Sequence, residues 1–218
     1  MMDREQLGCE VIALCRRLCA AGYISGTWGN VSVRLEDGNI LMTPSRVEYD
    51  AMVPADMAVL TPAGERVAGS RLPTSEREIH RGILNVRPDV GAVIHTHSPH
   101  AQAVAALGLE IPPLSEEMCQ LLGGAVPVTG RFVPSQEHVR LGEEVTLAIG
   151  KRNAVLIRNH GVVCCGRTLA ETEVCAQVTE KAAQVFLLLL SSGQQIRALE
   201  EPFISMNRRY FLESYGKT

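Results

Sequence analysis

The sequence has no CxxC pair among its seven cysteines, no stripe of basic residues, no internal repeat or low-complexity tract, and no apolar run long enough to span a bilayer. Each absence removes a class of protein. An odd cysteine count without paired spacing argues against a disulfide framework and for a reducing cytoplasm. Cys15 and Cys19, four apart, read as small buried hydrophobes, and Cys164 and Cys165 as strand residues. The 21 Lys and Arg residues are scattered and the net charge is −3, so no track for a polynucleotide backbone is present and no nucleic-acid partner is expected. The most apolar run, Val185 to Leu190, shares its helix with Glu173, Glu180 and Lys181, which predicts core and no membrane partner. The first residues, MMDREQLGCEVIALC, are acidic where a secretory signal needs a basic start, so the expected location is cytoplasmic.

What is present suits one sizeable core: 218 residues at 46% hydrophobic content read as a single domain over residues 1–218. Leu7, Val11, Leu14, Cys15 and Leu18 fall at helical spacing and Gly22 stops that helix. Val31, Val33 and Leu35 alternate with polar residues and reach the turn EDGN, which predicts a hairpin with 40–43; a second hairpin is expected over 57–69. Ser75 with Glu78, and Thr168 with Glu171, have the spacing of capping boxes, opening helices to about Val86 and Gly193. Between them come a strand at 91–97, a helix with Ser98 at N-cap and Pro99 at N1, a helix to Leu122, a strand at 125–128, a helix over 135–149 and a strand at 154–158. Hairpins interleaved with helices imply an α/β fold with a central mixed, mostly antiparallel sheet covered by helices on both faces, in three layers α/β/α. The one Gly cluster beside a strand, GTWGN at 26–30, precedes the strand, which fails the dinucleotide fingerprint.

Histidines carry the first chemical signal. In a strand, residues i and i+2 share a face, so His95 and His97 in 91-GAVIHTHSPHA-101 project together and can chelate one ion. His160, just past the apolar run AVLI, lies where a neighbouring strand can deliver a third imidazole, and Gly161 lets the backbone turn or approach closely there. Three neutral imidazoles with open positions are a catalytic metal arrangement of the zinc type. The second signal is 73-PTSEREIHRG-82: a helix start suited to a phosphate or carboxylate, hydroxyls on Thr74 and Ser75, and Glu76 free to act as a base. The third pairs Gly29–Asn30 with 43-TPSR-46, short polar donors at strand ends suited to an anion. No role follows from the sequence for His80, His100 or His138.

Taken in order, the segments GNVSVR, MTPS, PTSE, HTH and RNHG resemble the class II aldolase/adducin family over roughly residues 5–193, closest in motif pattern to its fuculose-phosphate-cleaving members. The resemblance implies that His95, His97 and His160 bind a divalent cation, Zn2+ or another such as Mn2+ or Co2+, with Glu76 as catalytic acid/base and as a metal ligand when substrate is absent. It implies that Gly29, Asn30, Ser45, Thr74 and Ser75 hold the substrate phosphate. It further implies a homotetramer with active sites at subunit interfaces, acting on a small sugar phosphate. The implied reaction is cleavage of a ketose 1-phosphate such as L-fuculose 1-phosphate to dihydroxyacetone phosphate and an aldehyde through a metal-stabilised enediolate, with the Glu76 carboxyl tuned upward by burial.

The sequence departs from that pattern at named positions. Arg46 stands where the family's TPTG has glycine, and either clamps the phosphate or narrows the site. In SEEMCQLLGG the aldolases have a tyrosine donated across the interface, whereas this chain offers Glu116 or Glu117, a feature similar to the methylthioribulose-phosphate dehydratase branch. Tyr215 matches a second aldolase tyrosine, so Tyr215 and Glu117 are the candidates for the second proton transfer. A dehydratase, epimerase or other lyase of the same family is the alternative activity. The adducin head domains, which share the fold as interaction modules, lack the intact metal set that this chain keeps.

Overall fold

In the computed structural model, which describes residues 3–216, the chain opens with helix α1 (Arg4–Ala20), capped by the Asp3 carboxylate, which accepts the Gln6 N–H at 2.7 Å. Val11, Leu14, Cys15 and Leu18 form its buried stripe, at roughly 2 kcal/mol for each large apolar side chain removed from water. Strands β1 (Gly29–Arg34), β2 (Ile40–Met42), β3 (Ala58–Leu60), β4 (Arg66–Ala68), β5 (Ala92–Thr96), β6 (Ala154–Ile157) and β7 (Gly161–Gly166) form one sheet in the order β4-β3-β2-β1-β5-β7-β6. All six of its pairings are antiparallel. A parallel bridge joins Val128 to Leu156 beside it.

Helices α2 (Arg77–Val86) and α4 (His138–Ile149) cover one face of the sheet, with Ile79, Ile83, Leu141 and Val145 against Val93, Val155 and Val163. On the other face α1 packs on Val31, Val33, Ala92 and Ile94. Helices α3 (Pro99–Leu107) and α5 (Leu169–Ser192) cover Leu156, Val162 and Cys164 on that same side. The three-layer α/β/α sandwich is the architecture that hairpins interleaved with helices imply. By length and composition α5 is apolar enough to cross a membrane, yet its Cys175, Ala183 and Phe186 stripe packs on the sheet and Arg17 pairs with Glu173 at 2.7 Å, so it is a core helix. All seven cysteines are free thiols.

Several local expectations need correction. The Ser75/Glu78 box does not form: Glu76 occupies the N-cap position of α2, the Thr74 hydroxyl accepts the Glu76 N–H at 3.2 Å, and Glu78 pairs with Arg81. Ser98 and Pro99 do start α3, but the Ser98 hydroxyl makes no cap. The Glu180 carboxylate of α5 accepts the His100 and Ala101 N–H groups instead, both at 2.9 Å. The strand at 125–128 reduces to two isolated bridges, because Pro127 has no N–H to extend a ladder. The helix reaching Leu122 is a single π turn over Met118–Leu122, closed by Gly123 in the left-handed region. Helix α4 starts at His138, since Glu137 N–H closes a turn onto the Pro134 carbonyl. The helix α6 (Phe203–Glu213), in which only Asn207 is buried, has too weak an apolar stripe to be foreseen. The Thr168 cap holds, accepting the Glu171 N–H at 3.1 Å.

Candidate metal centre and anion cavity

Register brings the histidines together. β1 pairs Asn30 opposite His95, and β7 pairs Val162 opposite Thr96, so the β6–β7 turn carrying His160 abuts the end of β5. His97 lies one residue past β5, and its N–H donates to the Tyr23 carbonyl at 3.1 Å, which keeps the segment extended and the ring on the His95 side. Asn159 takes φ 55°, turning the chain into His160. Gly161 is required by contact: a Cβ there would lie 2.5 Å from the Thr96 carbonyl oxygen and 3.1 Å from His95 Cε1.

The three rings meet edge to face, with centroids 4.9 to 5.0 Å apart and one nitrogen of each within 4.8 Å of the others. His95 Nδ1 donates to the Val162 carbonyl at 3.0 Å, which leaves Nε2 as the free lone pair, aimed at His97 Nε2 3.0 Å away. Glu76 closes the group, its Oε2 3.3 Å from His95 Nε2 and its Oε1 3.0 Å from His160 Nε2. Burial pushes the His95 imidazole down to about 3 and lowers that of His97, so both rings are neutral ligands at neutral pH. For Glu76, burial works toward the neutral acid, but the His160 hydrogen bond and the Asn30 amide hold the carboxyl well below the usual carboxylate range. That reverses the upward tuning expected from burial alone: the carboxylate has found donors. Three imidazoles beside an ionised carboxylate form a donor set that fits a divalent cation.

Beside this cluster lies a cavity of about 350 Å³ whose lining includes Gly29, Asn30, Ser45, Arg46, Thr74 and Ser75, all six positions expected to hold an anion, together with Glu76 and His160. The two loops that form it are tied by the Ser45 N–H to the Leu72 carbonyl at 3.0 Å and the Thr74 N–H to the Thr43 carbonyl at 3.1 Å. Arg46 has φ 59°, in the left-handed region, which accounts for the glycine at this place in the family pattern. A second cleft of about 390 Å³ shares Trp28, Ser135 and His160 with the first and is lined also by His97 and Phe132; Trp28 and Phe132 are both more than half exposed.

Two expected residues are not brought to the cluster within the chain. Tyr215, 59% exposed, sits beyond α6 against Tyr210 and Phe211, and lines neither cavity. Glu117 pairs with Lys181 Nζ at 2.8 Å and also lines neither. Conversely, Ser135 lines both cavities, and Ser32 and His80 bond to the site from beneath. The signal for His80 was its place four residues after Glu76; no local pattern announces Ser32.

This fold and this cluster define the class. The chain belongs to the family described as Class II Aldolase and Adducin N-terminal domain, matched over residues 9–187. It is 30% identical to the L-fuculose phosphate aldolase of Escherichia coli, over 99% of this chain and 98% of that one. It is 35% identical to a 5-methylthioribulose-1-phosphate/5-deoxyribulose-1-phosphate aldolase of Rhodospirillum rubrum, over 88% of this chain and 85% of that one. A solved L-fuculose 1-phosphate aldolase superposes with a TM-score of 0.90 at 25% identity, covering 97% of this chain and 98% of that one.

Proposed function

We propose that the chain, working as a single domain, is a metal-dependent aldolase that cleaves a ketose 1-phosphate, such as L-fuculose 1-phosphate, to dihydroxyacetone phosphate and an aldehyde. The observation that carries this reading is the meeting of one anion-suited cavity with three imidazoles and a carboxylate, sharing Glu76 and His160 as common walls. His95, His97 and His160 hold the cation, with Glu76 as a further ligand before substrate binds. Zinc suits nitrogen donors of this kind, and Mn2+ or Co2+ is the substitute. When bound, the cation supplies the positive charge that stabilises the electron pair left behind as a carbon–carbon bond breaks.

The remaining work belongs to side chains. Gly29, Asn30, Ser45, Thr74 and Ser75 hold the phosphate by N–H, amide and hydroxyl groups, and Arg46 adds a guanidinium, so that orientation is settled before chemistry. Glu76, ionised in the free enzyme, moves the proton at the carbon next to the carbonyl. Tyr215 or Glu117 of a neighbouring subunit handles the second proton in a homotetramer; the exposure of Tyr215 away from its own cavity supports such an arrangement. Free thiols agree with a cytoplasmic setting.

A second reading concerns the substrate's far end. Trp28 and Phe132 favour an apolar terminus, which fits a 5-deoxy or 5-methylthio ketose 1-phosphate better than a polyol tail. The test is a panel of L-fuculose, 5-deoxyribulose and 5-methylthioribulose 1-phosphates, assayed in separate arms for dihydroxyacetone phosphate and for the dehydrated diketone. Metal-dependent release of dihydroxyacetone phosphate is the expected result; a diketone product, or no product from any of the three, contradicts the aldolase reading.

A further inference from the structure

Behind Glu76 the α2 face of the sheet buries a row of polar atoms. The Asn30 Nδ2 group donates to Glu76 Oε2 at 2.8 Å, Asn30 Oδ1 lies 2.5 Å from His80 Nε2, and His80 Nδ1 lies 2.7 Å from the Ser32 hydroxyl. His80 and Ser32 are wholly enclosed and Asn30 is 4% exposed. We propose that His80 is a positioning residue: a one-way chain of hydrogen bonds from Ser32 through His80 fixes the Asn30 amide, and Asn30 in turn aims the Glu76 carboxylate at the imidazole cluster. The role rests on the reading of Glu76 as the proton-transfer group.

The direction of the chain follows from donor chemistry. A carboxylate can only accept, so Asn30 must present its NH2 group to Glu76 and its carbonyl to His80. That carbonyl requires a proton on His80 Nε2. A neutral ring then has a bare Nδ1, which takes the Ser32 hydroxyl hydrogen. Burial lowers the His80 imidazole to about 3, so the ring stays neutral and holds one tautomer. Without the His80 donor the Asn30 carbonyl is left buried and unpaired, and the amide keeps only its contact with Glu76, which no longer fixes its position. His95, by contrast, carries its proton on Nδ1, toward the Val162 carbonyl, so two buried histidines hold opposite tautomers.

The first experiment is two-bond proton–nitrogen NMR of the chain labelled with 15N in its histidine rings. A neutral His80 protonated at Nε2 is expected, and a proton on Nδ1 or a charged ring at neutral pH overturns the proposal. The second compares His80→Leu with His80→Gln, whose amide restores a donor. The leucine variant is expected to lose ~10–100-fold in kcat, with KM within about threefold of wild type and metal content unchanged, while the glutamine variant recovers most of the loss. Wild-type kcat in both, or equal impairment of both, overturns it. Ser32→Ala covers a leucine variant that fails to fold: mixed His80 tautomers and a several-fold lower kcat support the chain, and a single Nε2–H tautomer with unchanged kcat refutes it. If wild type cleaves no ketose 1-phosphate, the aldolase reading fails while the NMR spectrum still decides the hydrogen-bond chain.

Discussion

Strands β1 and β5 show two faces buried to the same degree and filled with different chemistry. Toward α1 they present Val31, Val33, Ala92 and Ile94; toward α2 they present Asn30, Ser32, Val93 and His95. An apolar face stabilises by area alone, whereas each buried polar group costs free energy until it is bonded. On the α2 face the cost is met because the polar groups bond to one another and to Glu76. One side of the sheet is therefore spent on stability and one end of the other side on chemistry, and the two should separate under mutation.

The largest separation is expected for His97→Ala. Loss of a metal ligand should reduce turnover by about three orders of magnitude with little change in melting temperature, measured by steady-state kinetics and calorimetry on the same sample. Its counterpart on the apolar face, Ile94→Ala, should lower stability by about 3 kcal/mol in denaturant titration while the folded fraction keeps its specific activity. A comparable loss of activity in both variants would erase the distinction between the faces.

The polar face should also show itself in pH. His80 and His95 are held down to about 3 in the fold, against an ordinary 6.5. Below 6.5 the unfolded chain binds protons that the native state refuses, so the metal-free protein should lose stability steadily as pH falls from about 6.5 toward 3. Melting curves across that window check the sign, and a flat profile would contradict the assigned neutral rings. The smallest effect is expected at the rim of the cavity: Arg46→Gly should raise KM about tenfold with kcat nearly unchanged. The same substitution relieves the left-handed conformation and should leave stability equal or up to ~1 kcal/mol higher.

How far the sequence reached follows the range of each interaction. Alternation in Val31 and Val33, the Asp-Gly turn and the Thr168 cap are local, and each forms as read. The His95 and His97 pair follows from strand periodicity, and the resemblance supplied the loop residues that line the cavity. What escaped depends on partners distant in the chain. Glu180 caps α3 from another helix, so the serine at N-cap misled. Ser32, Asn30 and His80 acquire their meaning only when β1 pairs with β5 and α2 lies across them. Arg46 read from the sequence as a clamp on the phosphate or a narrowing of the site, and its φ of 59°, which depends on the fold, adds why glycine is the easier residue there. Glu117 and Tyr215 match motifs but sit away from their own cavity, and a mass in solution of about four times the 23.7 kDa chain is the result that lets a neighbour supply them.

The account turns on one divalent cation held by imidazoles from two strand ends. Isothermal titration of Zn2+ into metal-free wild type and His160→Ala tests it most directly. Binding of one ion per chain in wild type, lost or greatly weakened in the variant, is the result the geometry requires. Equal binding by both, or no binding by wild type, would contradict it.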